Sequence, residues 1–469
     1  MSVNRDPSIR PKQGIIRNST LFLLGFATAF FPRLLSSYGA PSAINFVHFL
    51  VIPTVVGIAI FTTELKDRKQ IAMIGELVFG IGILLACMTA SALLNQAGII
   101  NVFVDLILLA EPFIFLLAIM AVPVGSKNIT KIKHWLFGFA LFNLLLALAQ
   151  SILLPLGIYP KPQGGTIQDN IVGVFGGGGG NAGNYVSCTI SLYFALYSFN
   201  IFKTVPLWVK IAGLLATVYQ IQVSDSKQVF LAIMGGWLIL VIVKSKDLRK
   251  LLLYLIPFIL IVALFFWAIK NLDLEFLAAY KNWLDRDIWG LDGEAARIKL
   301  TAFRLIPSYY KTPLNWLLGL GPGHTAGRLG GWVLRDYAKM LMPLGATVHP
   351  VSADIWQAIN ASYLPQESTV YFPLFTWAGI WGDLGFAGLG AYLYLCSIVW
   401  RRICADDFSK FLLLSTAVFG LILTQMEEPG HMLTVACLLG LQWHERQLRV
   451  RSRYHPAHPT DADTRVQIS

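Results

Sequence analysis

Arg297 and Arg304 stand seven residues apart in the run Ala295-Ala-Arg-Ile-Lys-Leu-Thr-Ala-Phe-Arg304. Two turns of helix at that spacing place both guanidinium groups on one side, with Lys311 continuing the stripe if the helix passes Pro307. Arginine holds phosphate through a planar, permanently charged fork, so the stripe fits a phosphate clamp at a membrane surface; it fits equally a solvated face against lipid headgroups. A further cation, Lys227, sits in the short polar turn Ser224-Asp-Ser-Lys227. Asp354, Glu367, His324 and His349 have the right chemistry for a general base, although most such residues in a polar segment are ordinary surface groups. The histidines at 324, 349 and 431 are too scattered for HxxxH or HExxH, and the five cysteines contain no CxxC. The pattern therefore indicates no metal site, no cofactor and no disulfide framework. Gly319-Leu-Gly-Pro-Gly323 lacks the Lys-Ser/Thr of a phosphate loop, and Pro322 removes a donor, so it reads as a turn.

These residues need a frame, and composition indicates a membrane. Of 469 residues, 55% are hydrophobic and only 13% charged, with a mean hydropathy of +0.61. That profile predicts an all-α, polytopic membrane protein. Apolar stretches fall at about 20–37, 43–62, 70–93, 98–122, 134–157, 182–201, 205–222, 228–244 and 251–269, then at 369–400, 408–426 and 429–443, which makes about twelve crossings. Lys66, Arg68 and Lys69, Lys127, Lys131 and Lys133, Lys244, Lys246, Arg249 and Lys250, and Arg401 and Arg402 occupy alternate loops together with the basic N-terminal segment. The positive-inside bias makes those loops cytoplasmic, with both termini inside and the long polar segment outside. The net charge of +11 is then largely topological, and nucleic acid is not implied. The first apolar stretch has no small-residue cleavage pattern and reads as a retained span.

The expected organisation is an N-terminal transmembrane bundle (1–270), an extracytoplasmic loop domain (271–368), C-terminal transmembrane helices (369–443) and a disordered cytoplasmic tail (444–469). Within the 369–400 stretch, Gly379-Ile-Trp-Gly-Asp-Leu-Gly385 breaks the apolar run, and Asp383 there needs a partner or a wet cavity. The glycines at 176–180 suit either a flexible linker or a close backbone approach. Gln425-Met-Glu-Glu-Pro-Gly-His431 reads as the turn of the last hairpin.

The order of several short motifs resembles the O-antigen ligase and polysaccharide polymerase superfamily of bacterial membrane glycosyltransferases. The matching residues are Gly173-Val-Phe175 with Asn181, Ser224-Asp-Ser-Lys227, Arg297, Pro313-Leu with Gly319, Gly321 and Gly323, and Glu367-Ser-Thr-Val-Tyr371 with Gly379-Ile-Trp-Gly382. They cover roughly residues 170–400. Lys227 stands where the family usually has arginine, Thr301 where a tryptophan often follows the loop arginine, and Ser368 where ligases carry a histidine. An acid followed by serine at that position looks more like the polymerases.

The resemblance implies an enzyme of the cytoplasmic (inner) membrane, active on the periplasmic side. It transfers a saccharide from undecaprenyl pyrophosphate to a sugar hydroxyl without a metal or nucleotide sugar. Lys227, Arg297 and Arg304 would bind the pyrophosphate, with Arg297, Glu367 and His349 as the catalytic set and Asn181, Gly319, Gly321, Gly323, Ser368 and Tyr371 as motif positions. The implied partners are the lipid-linked donor, a glycan acceptor, the bilayer, a flippase and a chain-length regulator. Polymerase is favoured over ligase. A lipid-linked saccharide flippase is the rival from another class, against which stand the absence of an internal repeat and the concentration of polar residues in one segment.

Overall fold

The computed structural model describes residues 18–62, 68–122, 126–161, 165–176, 182–201, 205–245, 248–272, 281, 286, 288, 290 and 292–454. The described residues are helical or loop, giving an all-α, multi-pass membrane protein. The N-terminal part contains α1 (Asn18–Phe30), α2 (Pro32–Ser37), α3 (His48–Phe61), α4 (Arg68–Asn95), α5 (Ile99–Ala121), α6 (Ser126–Leu153), α7 (Gly183–Ile201), α8 (Leu207–Val223), α9 (Lys227–Lys244) and α10 (Leu248–Asn271). The polar segment forms short helices: α11 (Glu294–Lys299), α12 (Thr301–Ser308), α13 (Leu314–Leu318), α14 (Leu334–Asp336), α15 (Ala338–Leu341), α16 (Pro350–Ala361) and α17 (Leu364–Glu367). Three long helices follow, α18 (Thr376–Ile398), α19 (Asp407–Ile422) and α20 (Pro429–Tyr454).

Every apolar stretch expected to cross the membrane coincides with a helix, yet among the described residues seven candidate spans, not twelve, are long and apolar enough. Length is one physical reason. α8 has 17 residues and α19 has 16, short of the roughly 20 that cover a hydrocarbon core at 1.5 Å per residue. α20 runs on to Tyr454, so the expected disordered tail is helical in its first part. Residues 455–469, the N-terminal residues 1–17 and Asn181 with most of the glycine run lie outside the described residues.

α5 is the central column, with nearly every residue from Val104 to Ala121 buried against α3, α4 and α20. The polar segment does not stand apart from this bundle. Leu329, Val333, Leu334, Leu341 and Ala346 share one apolar core with Phe49 of α3 and Val104, Ile107 and Leu108 of α5. Ala302 and Ile306 of α12 share another with Val351, Ile355 and Ile359 of α16 and with Phe375, Ala378 and Trp381. The expected amphipathic helix is thus real but broken at Leu300 into α11 and α12, and it ends at Tyr309, just after Pro307.

Candidate functional site

Several elements converge on the short turn Thr369–Tyr371, where Ser368 caps the turn by accepting from the Val370 amide. Two long helices, α7 and α9, reach it. Tyr185 of α7 places its hydroxyl 2.5 Å from that of Thr369, and Gln228 of α9 donates to both Tyr185 Oη (3.1 Å) and Ser368 Oγ (3.3 Å). Lys227 is the first residue of α9 and pairs with Asp225 at 2.7 Å; Asp225 itself has φ +49°, the left-handed geometry of a tight turn. Behind them, Asn184 donates to the Ser224 carbonyl (2.9 Å), while Asn143 and Gln150 of α6 bind the backbone of Gly173 and Val174. These amides fix the Gly173-Val-Phe175 motif. The left-handed Gly173 leaves no room for a Cβ against Asn143.

α11 approaches the turn from the other side. Ala295 and Ile298 pack with Tyr371 and Leu364, leaving Arg297 exposed. Arg304, also exposed, reaches back to donate to the Arg297 backbone carbonyl. Glu367 pairs with Arg286 at the rim. The segments carrying five predicted residues, Lys227, Arg297, Glu367, Ser368 and Tyr371, therefore meet at this turn, with Arg297 and Arg304 exposed beside it.

His349 belongs elsewhere. It caps α16, its Nδ1 accepting from the Val351 amide at 3.2 Å, and its ring lies 5.6 Å from that of His324 and 5.2 Å from Tyr309. α16, about 18 Å long at 1.5 Å per residue, stands between His349 and the Ser362–Glu367 end. Burial, then the neighbouring His324 and Lys311, push the His349 imidazole down to about 4. A ring used as a cap and that weakly basic is poorly matched to general-base work near neutrality.

The glycine motif is a structural plug. Gly319, Gly321 and Gly323 all have positive φ (71°, 109° and 68°). The backbone N–H groups of Leu320 and Gly321 donate to the carbonyls of Gly382 (2.9 Å) and Asp383 (3.0 Å) in α18. The Asp383 carboxylate accepts from the amides of Gly323 (3.0 Å) and Thr325 (2.7 Å). Asp383 thus finds its partners in backbone donors, and the kink at Gly385 (φ 63°) keeps α18 in register with the plug.

Two features escaped sequence reasoning. Lys299 of α11 donates from Nζ to the carbonyls of Phe372 (3.0 Å) and Ile422 (2.6 Å) and lies 4.8 Å from the Phe375 ring centre; its enclosure pushes the amine down to about 7. The second is a buried ionic knot in which Arg33 (2.8 Å) and Arg328 (2.5 Å) both hold Oε2 of Glu428. Burial would raise Glu428, but Arg328 and Arg33 keep it below the usual carboxylate range. Next to it, burial pushes Glu427 up to about 8, even though its Oε2 accepts from the Arg328 amide at 2.6 Å. The 425–427 segment is the expected turn, and it is also where these charges meet. The sequence gives no signal that groups them: Arg33 lies within the first apolar stretch, and Glu427 and Glu428 are adjacent acids in the expected turn.

No family model, curated protein or solved structure matches this chain.

Proposed function

We propose that the chain is a glycosyltransferase of the bacterial cytoplasmic membrane that polymerises a surface polysaccharide on the periplasmic side, with an undecaprenyl-pyrophosphate-linked saccharide as donor. One observation carries this reading: the Lys227 turn, the Arg297 helix and the Glu367–Tyr371 segment, separate in sequence, meet at the Thr369–Tyr371 turn. In the proposed topology the shorter helices complete a bundle of about twelve crossings, both termini lie inside, and that turn faces outward.

The acceptor hydroxyl oxygen forms a bond to the anomeric carbon as the bond from that carbon to the pyrophosphate oxygen breaks. The electron pair leaves with the pyrophosphate. Lys227 and Arg297 stabilise the charge gathered there, and Arg304, braced on the Arg297 carbonyl, orients that segment. The hydroxyl proton passes to Glu367 or to water. Glu367 does this only after leaving Arg286, so its contribution is conditional on substrate displacing that pair.

The test is reconstitution with a lipid-linked repeat unit as the sole substrate. A polymerase yields lipid-linked products lengthened by whole repeats, because donor and acceptor are then both present. Lengthening only after a separate acceptor is added identifies a ligase; translocation without lengthening identifies a flippase and ends the transfer reading. Fixed cations supply the charge stabilisation, so growth is expected to persist in EDTA.

A further inference from the structure

A cavity of about 410 Å³ lies between α6, α7 and α8, and none of its lining residues belongs to the cluster at Thr369–Tyr371. Two glycines help to open it: a Cβ added at Gly138 or at Gly213 meets nothing within 4 Å. The hydroxyl groups in its wall are engaged with the protein. Ser198 donates to the Ala195 carbonyl (2.6 Å), Thr217 donates to that of Gly213 (3.0 Å), and Ser191 accepts from Asn143 (3.1 Å). Most of the remaining lining is Leu, Val, Phe and Ala, so the wall is suited to hydrocarbon.

Charge is confined to one end. His134 and Lys210 line the end nearest the starts of α6 and α8, and no Asp or Glu lines the cavity. Lys131, three residues before His134, is exposed on the same face of α6. Among the described residues neither Lys131 nor Lys210 has an ion pair or a hydrogen bond. Trp135, next to His134, and Trp208, two residues before Lys210, are exposed, and tryptophans so placed mark the headgroup level of a bilayer. From His134 the lining follows α6 to Leu144, about 15 Å at 1.5 Å per residue. That is the depth of one leaflet, half of a hydrocarbon core roughly 30 Å thick. In the proposed topology this end lies at the cytoplasmic face, opposite the side of transfer.

We infer that the cavity is a binding site for an anionic phospholipid, with one acyl chain between α6, α7 and α8 and the headgroup phosphate on Lys131 and Lys210. Depth selects a chain of a single leaflet, and unpaired lysines at headgroup level select a phosphate that carries no balancing ammonium. A cavity of about 310 Å³ beside Tyr392 and Trp400 shows what the lysines add: it is as apolar, but no charged residue lines it, so nothing there selects a headgroup. The inner end of the lipid site meets the network behind the Gly173-Val-Phe175 motif. Ser191 is held by the same Asn143 that accepts from the Val174 amide, so the acyl chain packs against the wall that positions the motif.

The experiment is native mass spectrometry of the full chain, stripped of lipid in detergent and titrated with phosphatidylglycerol or with phosphatidylcholine carrying the same acyl chains. One phosphatidylglycerol is expected to be retained at a concentration at least tenfold below that needed for phosphatidylcholine. Lys210→Gln is expected to weaken its retention about fivefold, the worth of one basic residue beside an anionic headgroup. Lys131→Gln combined with Lys210→Gln is expected to remove the preference. Gly138→Leu, whose side chain grows into empty space, is expected to abolish retention of both lipids; should it also lower the unfolding temperature of the lipid-free protein, the lysine variants decide alone. Equal retention of the two lipids by the wild type overturns the inference, and so does a preference that survives the loss of both lysines. Undiminished retention in a folded Gly138→Leu protein overturns it too. Displacement of phosphatidylglycerol by an equal concentration of inorganic phosphate reduces the site to an anion site without a chain, and displacement by farnesyl pyrophosphate gives it to the prenyl carrier; either result overturns the phospholipid assignment and leaves the transfer reading to its own test.

Discussion

The cluster at Thr369–Tyr371 and the knot at Glu428 both gather basic residues at helix ends, but they treat charge in opposite ways. At the cluster, Arg297 and Arg304 are exposed and Lys227 pairs with a neighbour two residues away. The rigid parts there are neutral: Tyr185, Gln228, Ser368 and Thr369 form a hydrogen-bonded frame, and the cations stand at its rim. At the knot, the ions are themselves the frame. Arg33 and Glu428 are 395 positions apart and join α2 to the last hairpin. Exposed cations are available to a ligand at little cost in stability, whereas a buried ion pair is tied to the packing of the whole bundle.

That contrast breaks if the knot proves dispensable. Glu428→Ala leaves two buried guanidinium groups without their shared anion and is expected to cost about 3–5 kcal/mol, read as a lowered unfolding temperature in detergent. Replacing all three ions together by Met, Met and Leu should recover most of that loss, because apolar replacements of similar volume do not leave a charge stranded. Asp383→Ala comes next: it strips the Gly323 and Thr325 amides of their acceptor, and two buried unsatisfied donors cost about 2–4 kcal/mol. Its signature is protease cleavage near residues 319–325 at temperatures where the wild type resists.

Substitutions at the Thr369–Tyr371 cluster sharpen the comparison from the other side. Lys227→Ala and Arg297→Ala are each expected to slow transfer roughly ten- to a hundredfold, the worth of one charge-assisted phosphate contact, with unfolding temperatures close to wild type. Arg297→Lys should recover only part of the rate, since the planar fork is lost. A further effect is a slope with pH. Lys299 is held at about 7 against an ordinary 10.5, so between those values the unfolded chain binds more protons than the folded one. Stability therefore rises with pH across that window, and the penalty for burying the charge is present in full below it. Lys299→Met should flatten that part of the stability curve.

What could be read from the residues alone followed the range of the interactions involved. Apolar stretches became helices because that signal is local. The three glycines of residues 319–323 were legible as turns because positive φ is a property of single residues. The Gly382-Asp383 interruption also announced a buried acid in need of a partner, though not that the partner would be the glycine turn itself. Among the described residues, α8 and α19 fall short of membrane length, and this was not legible because hydropathy registers an apolar stretch without registering how short its helix is. His349 looked like a base by composition, but its use as a helix cap emerges only once Val351 is in place. Arg33, Arg328 and Glu428 were illegible for a simpler reason: each is unremarkable among its neighbours, and only the closed bundle makes them a group.

The Asp383 staple also orders events during synthesis. A ribosome delivers Gly319–Thr325 well before Asp383, Gly382 and the kink at Gly385, so the plug has no acceptor for its amides until those residues are made. It can set only after the downstream helix has been threaded into the bilayer and turned to face it. Chains cut short before residue 383 should therefore insert their earlier helices normally yet carry a polar segment that quality-control proteases recognise. The same carboxylate that looks misplaced in a membrane helix is thus a checkpoint of completion: the polar segment acquires its shape when, and only when, the helix behind it is in place.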